Sequence, residues 1–240
     1  MTRMGLAVAS IGMAAALTAC GGGSDSGGGD DFTEQSGQKI ADASKKAMGD
    51  LSSVRVAGTV NTDGQEVKID MQTNDKGDCT GSIGTGGGTA ELLGTGGDIW
   101  FKPDEAFWKA SAGDAADQIL AVVGDKWVVV PSSGGGFDQF CDIDDLLEEL
   151  IKSEKEDGDK YTKKDTEDVD GDEAIPVENT SEDDGTSVGY VLVDEPHYLV
   201  KVEKTDGDDT GEVTFSEFDE KFEVTAPAED EIIDLDNLQG

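Results

Sequence analysis

In two segments, Val54–Val60 and Val67–Met71, apolar residues alternate with others along the chain, and no other feature restricts the fold of this 240-residue chain as tightly. Val54, Val56 and Val60 alternate with Arg55, Ala57 and Thr59, and Val67, Ile69 and Met71 alternate with Lys68, Asp70 and Gln72. A period of two sends the two sets to opposite faces of a strand, so each segment has one apolar and one wet face. Asp63-Gly64 between them is a tight-hairpin signal. Further short strands are expected at Cys79–Ile83, Thr89–Leu93 and Ile99–Lys102, with glycine-rich turns at Gly84–Gly88 and Gly94–Gly97. The pattern is that of an antiparallel meander packed on one side.

Elsewhere the period changes. Across Phe32–Leu51, Ile40, Ala43, Ala47, Met48 and Leu51 recur at three- and four-residue steps, which predicts an amphipathic helix weakened at its ends by Gly37 and Gly49. Pro103 is expected to open a helical segment holding Phe107 and Trp108. Asp114 is expected to cap a helix striped by Ala115, Ala116, Ile119, Leu120 and Val123, and a strand with Trp127 follows at Lys126–Val130. Asp142, with Asp145 as a weak capping box, starts a helix whose stripe is Ile143, Leu146, Leu147, Leu150 and Ile151. Ser153–Gly185 is acidic and by composition disordered. The alternation in Lys160–Thr166 and Ala174–Asn179 argues instead for solvent-facing strands joined by a turn at Val169-Asp170-Gly171-Asp172. Strands are expected again at Ser187–Val193, Tyr198–Lys204, Gly211–Phe215 and Phe222–Thr225, before a tail from Glu229 that is polar apart from Ile232, Ile233 and Leu235. No break in composition divides residues 32–240, so one α+β domain is expected there.

The N-terminus has a different character. Arg3 precedes an apolar run from Gly5 to Leu17, too short to span a bilayer, and Leu17-Thr18-Ala19-Cys20 ends it. This resembles the lipobox of bacterial lipoproteins, which implies a cleaved signal peptide over 1–19 and a diacylglyceryl group on Cys20. Residues 20–31 then form a flexible Gly/Ser/Asp tether with an r.m.s. span of about 18 Å. Export would place the domain on the outer leaflet of the cytoplasmic membrane, with two acyl chains giving stable anchoring.

A formal charge of −36 repels phosphate, which excludes a nucleic-acid partner and argues against the domain lying flat on anionic lipid. With Cys20 committed to lipid, Cys79 and Cys141 remain in an oxidising compartment and are expected to form a structural disulfide. The alternative, a two-cysteine metal site, lacks further soft ligands nearby. No Gly-x-Ser-x-Gly elbow and no phosphate-binding loop is present, and His197, placed in a strand after Pro196, has no evident nucleophile partner. An enzyme is not expected, nor a cofactor. One metal motif competes: Asp206, Asp208, Thr210 and Glu217 stand at EF-hand positions one, three, five and twelve, with Gly211 at six. An EF-hand needs flanking helices, whereas Tyr198, Val200 and Val202 before it and Val213–Phe215 within it favour strands, so a solvated hairpin turn is the preferred reading.

Four stretches carry a wider resemblance: Leu51–Val56, Gly124–Val128, Glu195–Val202 and Phe215–Pro227. Together with the lipobox and the order of elements they resemble the actinobacterial LppX/LprG-type lipoproteins over nearly the whole mature chain. That resemblance implies an antiparallel sheet curved into a half-barrel around a few helices, distantly similar in shape to the periplasmic carrier LolA. It also implies an apolar cavity that carries the acyl chains of a lipid or glycolipid. The candidate wall is Val56, Val67, Ile69, Met71, Ile99, Phe101, Trp108, Ile119 and Leu120. A monomer acting as a lipid carrier is the leading expectation. The alternatives are a calcium-binding surface lipoprotein and a fully packed accessory or adhesion module.

Overall fold

The two alternating segments pair with each other. β1 (Ser53–Thr62) and β2 (Gln65–Asn74) run antiparallel with Val56 opposite Met71 and Val60 opposite Val67, so the apolar sets share a face. The computed structural model describes residues 31–62, 64–130, 137–151, 160–181, 185–207 and 210–234, with 149 and 151 as backbone. The leader, Cys20 and the tether up to residue 30, Asp63 of the expected turn, the acidic run 153–159, Asp208 and Leu235 lie outside the described residues.

The meander continues through β3 (Cys79–Thr85), β4 (Gly88–Thr95) and β5 (Asp98–Pro103). α2 (Glu105–Ala112), named after α1 (Gly37–Gly49), a turn of 3-10 helix at Gly113–Ala115 and α3 (Ala116–Val123) follow, and then β6 (Trp127–Val129). α4 (Ile143–Ile151) leads to β7 (Lys160–Lys163), β8 (Glu167–Val169), β9 (Asp172–Ser181), β10 (Gly185–Leu192), β11 (Leu199–Lys204) and β12 (Thr210–Ser216). A two-residue strand, β13 (Ile232–Ile233), closes the sequence of elements. The strands form one sheet in the order β13-β6-β5-β4-β3-β2-β1-β12-β11-β10-β9-β7, with β8 also on β9. Among the described residues only β13 against β6 is parallel. The sheet curves without closing, β13 and β7 being its two ends, so the fold is an α+β half-barrel with helices on its inner face.

Three apolar clusters fill that inner side. In the first, Ile40, Ala41 and Met48 of α1 and Ile143, Leu146 and Leu147 of α4 pack on Val54, Val56, Ile175, Val191, Val213 and Phe215 of the sheet. Ser36 caps α1 by accepting from Lys39 N, and Gly37 and Gly49 are its first and last residues. The second joins Ile69, Met71, Ile83 and Leu92 to the Cys79–Cys141 bridge. The third gathers Trp108, Ala116, Val123 and Val128 under α2 and α3. Phe140 bridges the first and second clusters and Phe101 the second and third, so the interior is continuous. Among the described residues no helix is long and apolar enough to cross a membrane.

Several elements differ from the expectation. Pro103 does not open α2: it ends β5 opposite Ala90, and Asp104 is the cap. Asp114 caps nothing, because a 3-10 turn takes its position and α3 starts at Ala116 without a side-chain cap. The 32–51 helix is broken, with a 3-10 turn at Phe32–Glu34 ahead of α1. β9 is not solvent-facing, since Ala174, Ile175, Pro176 and Val177 are all buried. Phe222–Thr225 forms no strand, because β1 and β11 already occupy both sides of β12. His197 sits in the turn before β11, with positive φ, its ring stacked on Phe32 at 3.6 Å.

Candidate functional site

The inner face at the β4–β6 end of the sheet is covered by α2 and α3, and local chemistry fixes how they lie. Asp104 fastens α2 at both ends of its carboxylate: Oδ1 accepts from Phe107 N at 2.7 Å and Oδ2 from Thr89 N at 3.1 Å. The Asp104 amide in turn donates to Thr89 O at 2.8 Å, tying the helix start to β4. Gly88 makes the approach possible, because a Cβ there would stand 1.9 Å from Phe107 N. Helix and strand backbones therefore touch where the sequence has no side chain.

α3 is held differently. It packs on α2 and ends at Gly124, whose amide donates to Leu120 O at 2.9 Å with φ of 58°. Val123 is buried in the third cluster, but Ile119 and Leu120 are only half-buried and Val122 is 53% exposed. A helix with this much apolar surface in water is incompletely covered, whereas the large apolar side chains of α1, Ile40 and Met48, are buried. Phe101 reaches from β5 to within 5.7 Å of the Trp108 ring and 5.3 Å of Phe137. Ile233 of β13 closes the outer side of the same cluster.

The nine candidate wall residues divide among the three clusters. Val56 belongs to the first, fully buried beneath α1 and α4, and is a packed core position. Val67, Ile69, Met71 and Ile99 lie in the second, Met71 fully buried and Val67 and Ile99 half-exposed. Phe101, Trp108, Ile119 and Leu120 come together in the third. The candidate wall groups with access to solvent are thus Val67 and Ile99 beside the second cluster, Ile119 and Leu120 beside the third, and Phe101, which touches both. The Cys79–Cys141 disulfide is present and borders this region, pinning the segment before α4 onto β3 with Cα atoms 4.9 Å apart.

The opposite face of the sheet is polar. Arg55 makes a two-pronged pair with Asp70, both contacts at 3.0 Å, and reaches Glu217 Oε1 at 3.2 Å. Hydrogen bonding and charge from Asp70, then Glu217, raise the Arg55 pKa further. Glu203 is held below the usual carboxylate range by donors from Lys201 at 2.6 Å and Tyr190 at 2.7 Å. Tyr198 is pushed up to about 12 by burial and by its bond to Asp219. A pocket of about 330 Å³ opens beside Glu66, Lys68, Asp70, Ser82, Thr85 and Thr89. Of the candidate wall only Ile69 reaches it, and its charged and hydroxyl lining does not suit an acyl chain.

The calcium motif does not come together as a loop. Asp206 Oδ1 accepts from Thr186 N at one end of β12, while Glu217 lies beyond the other end, about 20 Å away along the strand. Thr210 begins β12, and both Glu217 oxygens are taken, Oε1 by Arg55 and Oε2 by Gln72 at 2.8 Å. Among the described residues no group of three or more His, Cys, Asp or Glu side chains is placed to hold a metal. Sequence reasoning missed β13 and the Asp219 anchor, whose carboxylate accepts from Ser52 N, Ser52 Oγ and Tyr198. No short-range pattern links residues 167 positions apart.

No protein-family model matches this sequence, and none of the curated proteins does. Solved structures do match. Lipoprotein LppX of Mycobacterium tuberculosis is similar at TM-score 0.51 and 15% identity, over 79% of this chain and 98% of its own. LprF from Mycobacterium bovis is similar at TM-score 0.54 and 17% identity, over 80% and 97%. A LolA superfamily protein from Nitrosomonas europaea also aligns, at TM-score 0.24 and 10% identity over 77% and 93%, too distant to support an argument. The chain therefore has the LppX/LprG-type fold along essentially the full length of LppX and LprF. At this identity the likeness defines the fold and nothing finer.

Proposed function

We propose that this chain is an extracytoplasmic lipoprotein, anchored through lipid on Cys20, that takes up acyl chains of a membrane lipid or glycolipid between α2–α3 and the inner face of its sheet. The observation that carries the reading is the half-exposed apolar surface of α3. Ile119 and Leu120 pack against the third cluster without being sealed by it, together with Phe101, which links that cluster to the half-exposed Ile99 and Val67 of the second. An acyl chain of about 15 methylenes contributes on the order of 10 kcal/mol when it leaves water, before ordering costs. That is ample for displacing a helix whose own sheet contacts are few. The polar outer face keeps the loaded protein soluble, and the reading asks no residue to perform catalysis.

Uptake of a fluorescent diacyl lipid from vesicles by the full chain carrying Cys20→Ala tests this. Ile119→Trp and Leu120→Trp are expected to reduce uptake severalfold while Val56→Ala, a packed position, leaves the amount taken up per folded molecule unchanged. Equal uptake by all four chains refutes a site beneath α3.

A further inference from the structure

Trp108 presents a polar hydrogen with nowhere to go. Its side chain is only 8% exposed, and among the described residues its indole Nε1 has no hydrogen-bond partner. Its cluster neighbours are Phe101, Ala112, Ile119, Leu120, Val128 and Ile233 among others, none with a side-chain acceptor. Buried tryptophan N–H groups ordinarily find a partner, and one left unmade in apolar surroundings is a standing penalty on the fold. Among the described residues, buried side-chain atoms on Ser44, Thr73 and Asn179 also lack partners. Trp108 differs from these in belonging to the cluster against which the half-exposed Ile119 and Leu120 of α3 pack.

We propose that Trp108 is the polar anchor of the acyl site: its Nε1–H donates to the carbonyl oxygen at the head of a bound acyl chain. This rests on the carrier reading above and sharpens it to a ligand class, lipids whose chains are joined through an ester or amide carbonyl. An ether-linked chain of the same length fills the same apolar space but offers no carbonyl, so it leaves the indole unpaired. A site built to satisfy a donor discriminates against a ligand that lacks the acceptor.

The test is a competition. The full chain carrying Cys20→Ala is incubated with vesicles containing equal amounts of diacyl and dialkyl phosphatidylglycerol of identical chain length, separated from them, and its cargo counted by native mass spectrometry. The ester form is expected to exceed the ether form by about five- to tenfold. Adding Trp108→Phe should bring the ratio to about one, the ester form falling toward the level of the ether form. A ratio near one in the chain that keeps Trp108 overturns the anchor and leaves the carrier reading intact. Absence of both lipids overturns the carrier reading and the anchor with it.

Discussion

Cys79 and Cys141 are bonded across the inner face of β4 at Gly94, one of the two positions, with Gly88, where that strand carries no side chain. A Cβ on Gly94 would lie 2.8 Å from each sulfur. The bridge closes a separation of 62 residues, which contributes about 4 kcal/mol in the chain-entropy account. Reduction should therefore lower the melting temperature markedly. Gly94→Val should do the same in the oxidised protein but have a much smaller effect in the Cys79→Ala/Cys141→Ala chain. Equal effects in the two backgrounds would show that glycine and disulfide are not coupled.

A comparable constraint governs α2. Gly88→Ala places a methyl group against the Phe107 backbone, which no rotamer change relieves. It is expected to cost at least about 2 kcal/mol and to loosen α2 from β4. Thermal melts with limited proteolysis provide the check: new cleavage around 104–124 is predicted, and an unchanged digest would contradict the account of how the helix is seated.

How far these relationships were legible in the sequence depends on their range. The β1–β2 hairpin and the Asp142 start of α4 rest on neighbours in the chain, and both are present, Asp142 Oδ1 accepting from Asp144 N and Asp145 N. β9 was misread for a physical reason. Ala174-Ile175-Pro176-Val177 is a short continuous apolar run, the mark of a strand covered on both faces, but the acidic residues around it suggested exposure. Phe222–Thr225 has the composition of a strand, and only the sheet order shows that no edge is free beside β12. In the candidate site, α3's stripe was readable, but the division between packed Val56 and accessible Ile119 is set by which helix lies over each. The unpaired indole of Trp108 is a property of the assembled cluster and has no sequence signature.

The corrected status of β9 is itself testable. Ile175 has no exposed surface and packs in the cluster beneath α1 and α4. Ile175→Ala should cost about 3 kcal/mol in denaturant unfolding, with a lower midpoint and little change in slope. A cost below about 0.5 kcal/mol would return β9 to the solvent-facing strand its acidity suggests.

Asp219 introduces a dependence on pH. Its carboxylate accepts from Ser52 N at 2.7 Å, Ser52 Oγ at 2.8 Å and Tyr198 Oη at 2.8 Å, the backbone bond being the main cause of its lowered pKa. A folded value below the unfolded one, about 3.9, gives stability that is complete above the ordinary carboxylate range and lost as pH falls through the lowered value. Asp219→Asn tests the charge alone, since Asn also tolerates the left-handed backbone at φ of 58°. The variant should melt lower than the parent at pH 7, with the gap closing toward pH 2. A gap independent of pH would mean that the carboxylate charge contributes nothing.

The central claim, that acyl chains occupy the space between α3 and the sheet, is tested most directly by weighing the protein as its host makes it. Native mass spectrometry of the chain extracted gently from the host membrane should give, beyond the covalent anchor on Cys20, a further mass matching a lipid with acyl chains. That mass should be missing when Ile119→Trp is introduced and retained with Val56→Ala. A parent protein that carries no noncovalent lipid, or cargo unaffected by Ile119→Trp, would contradict the claim.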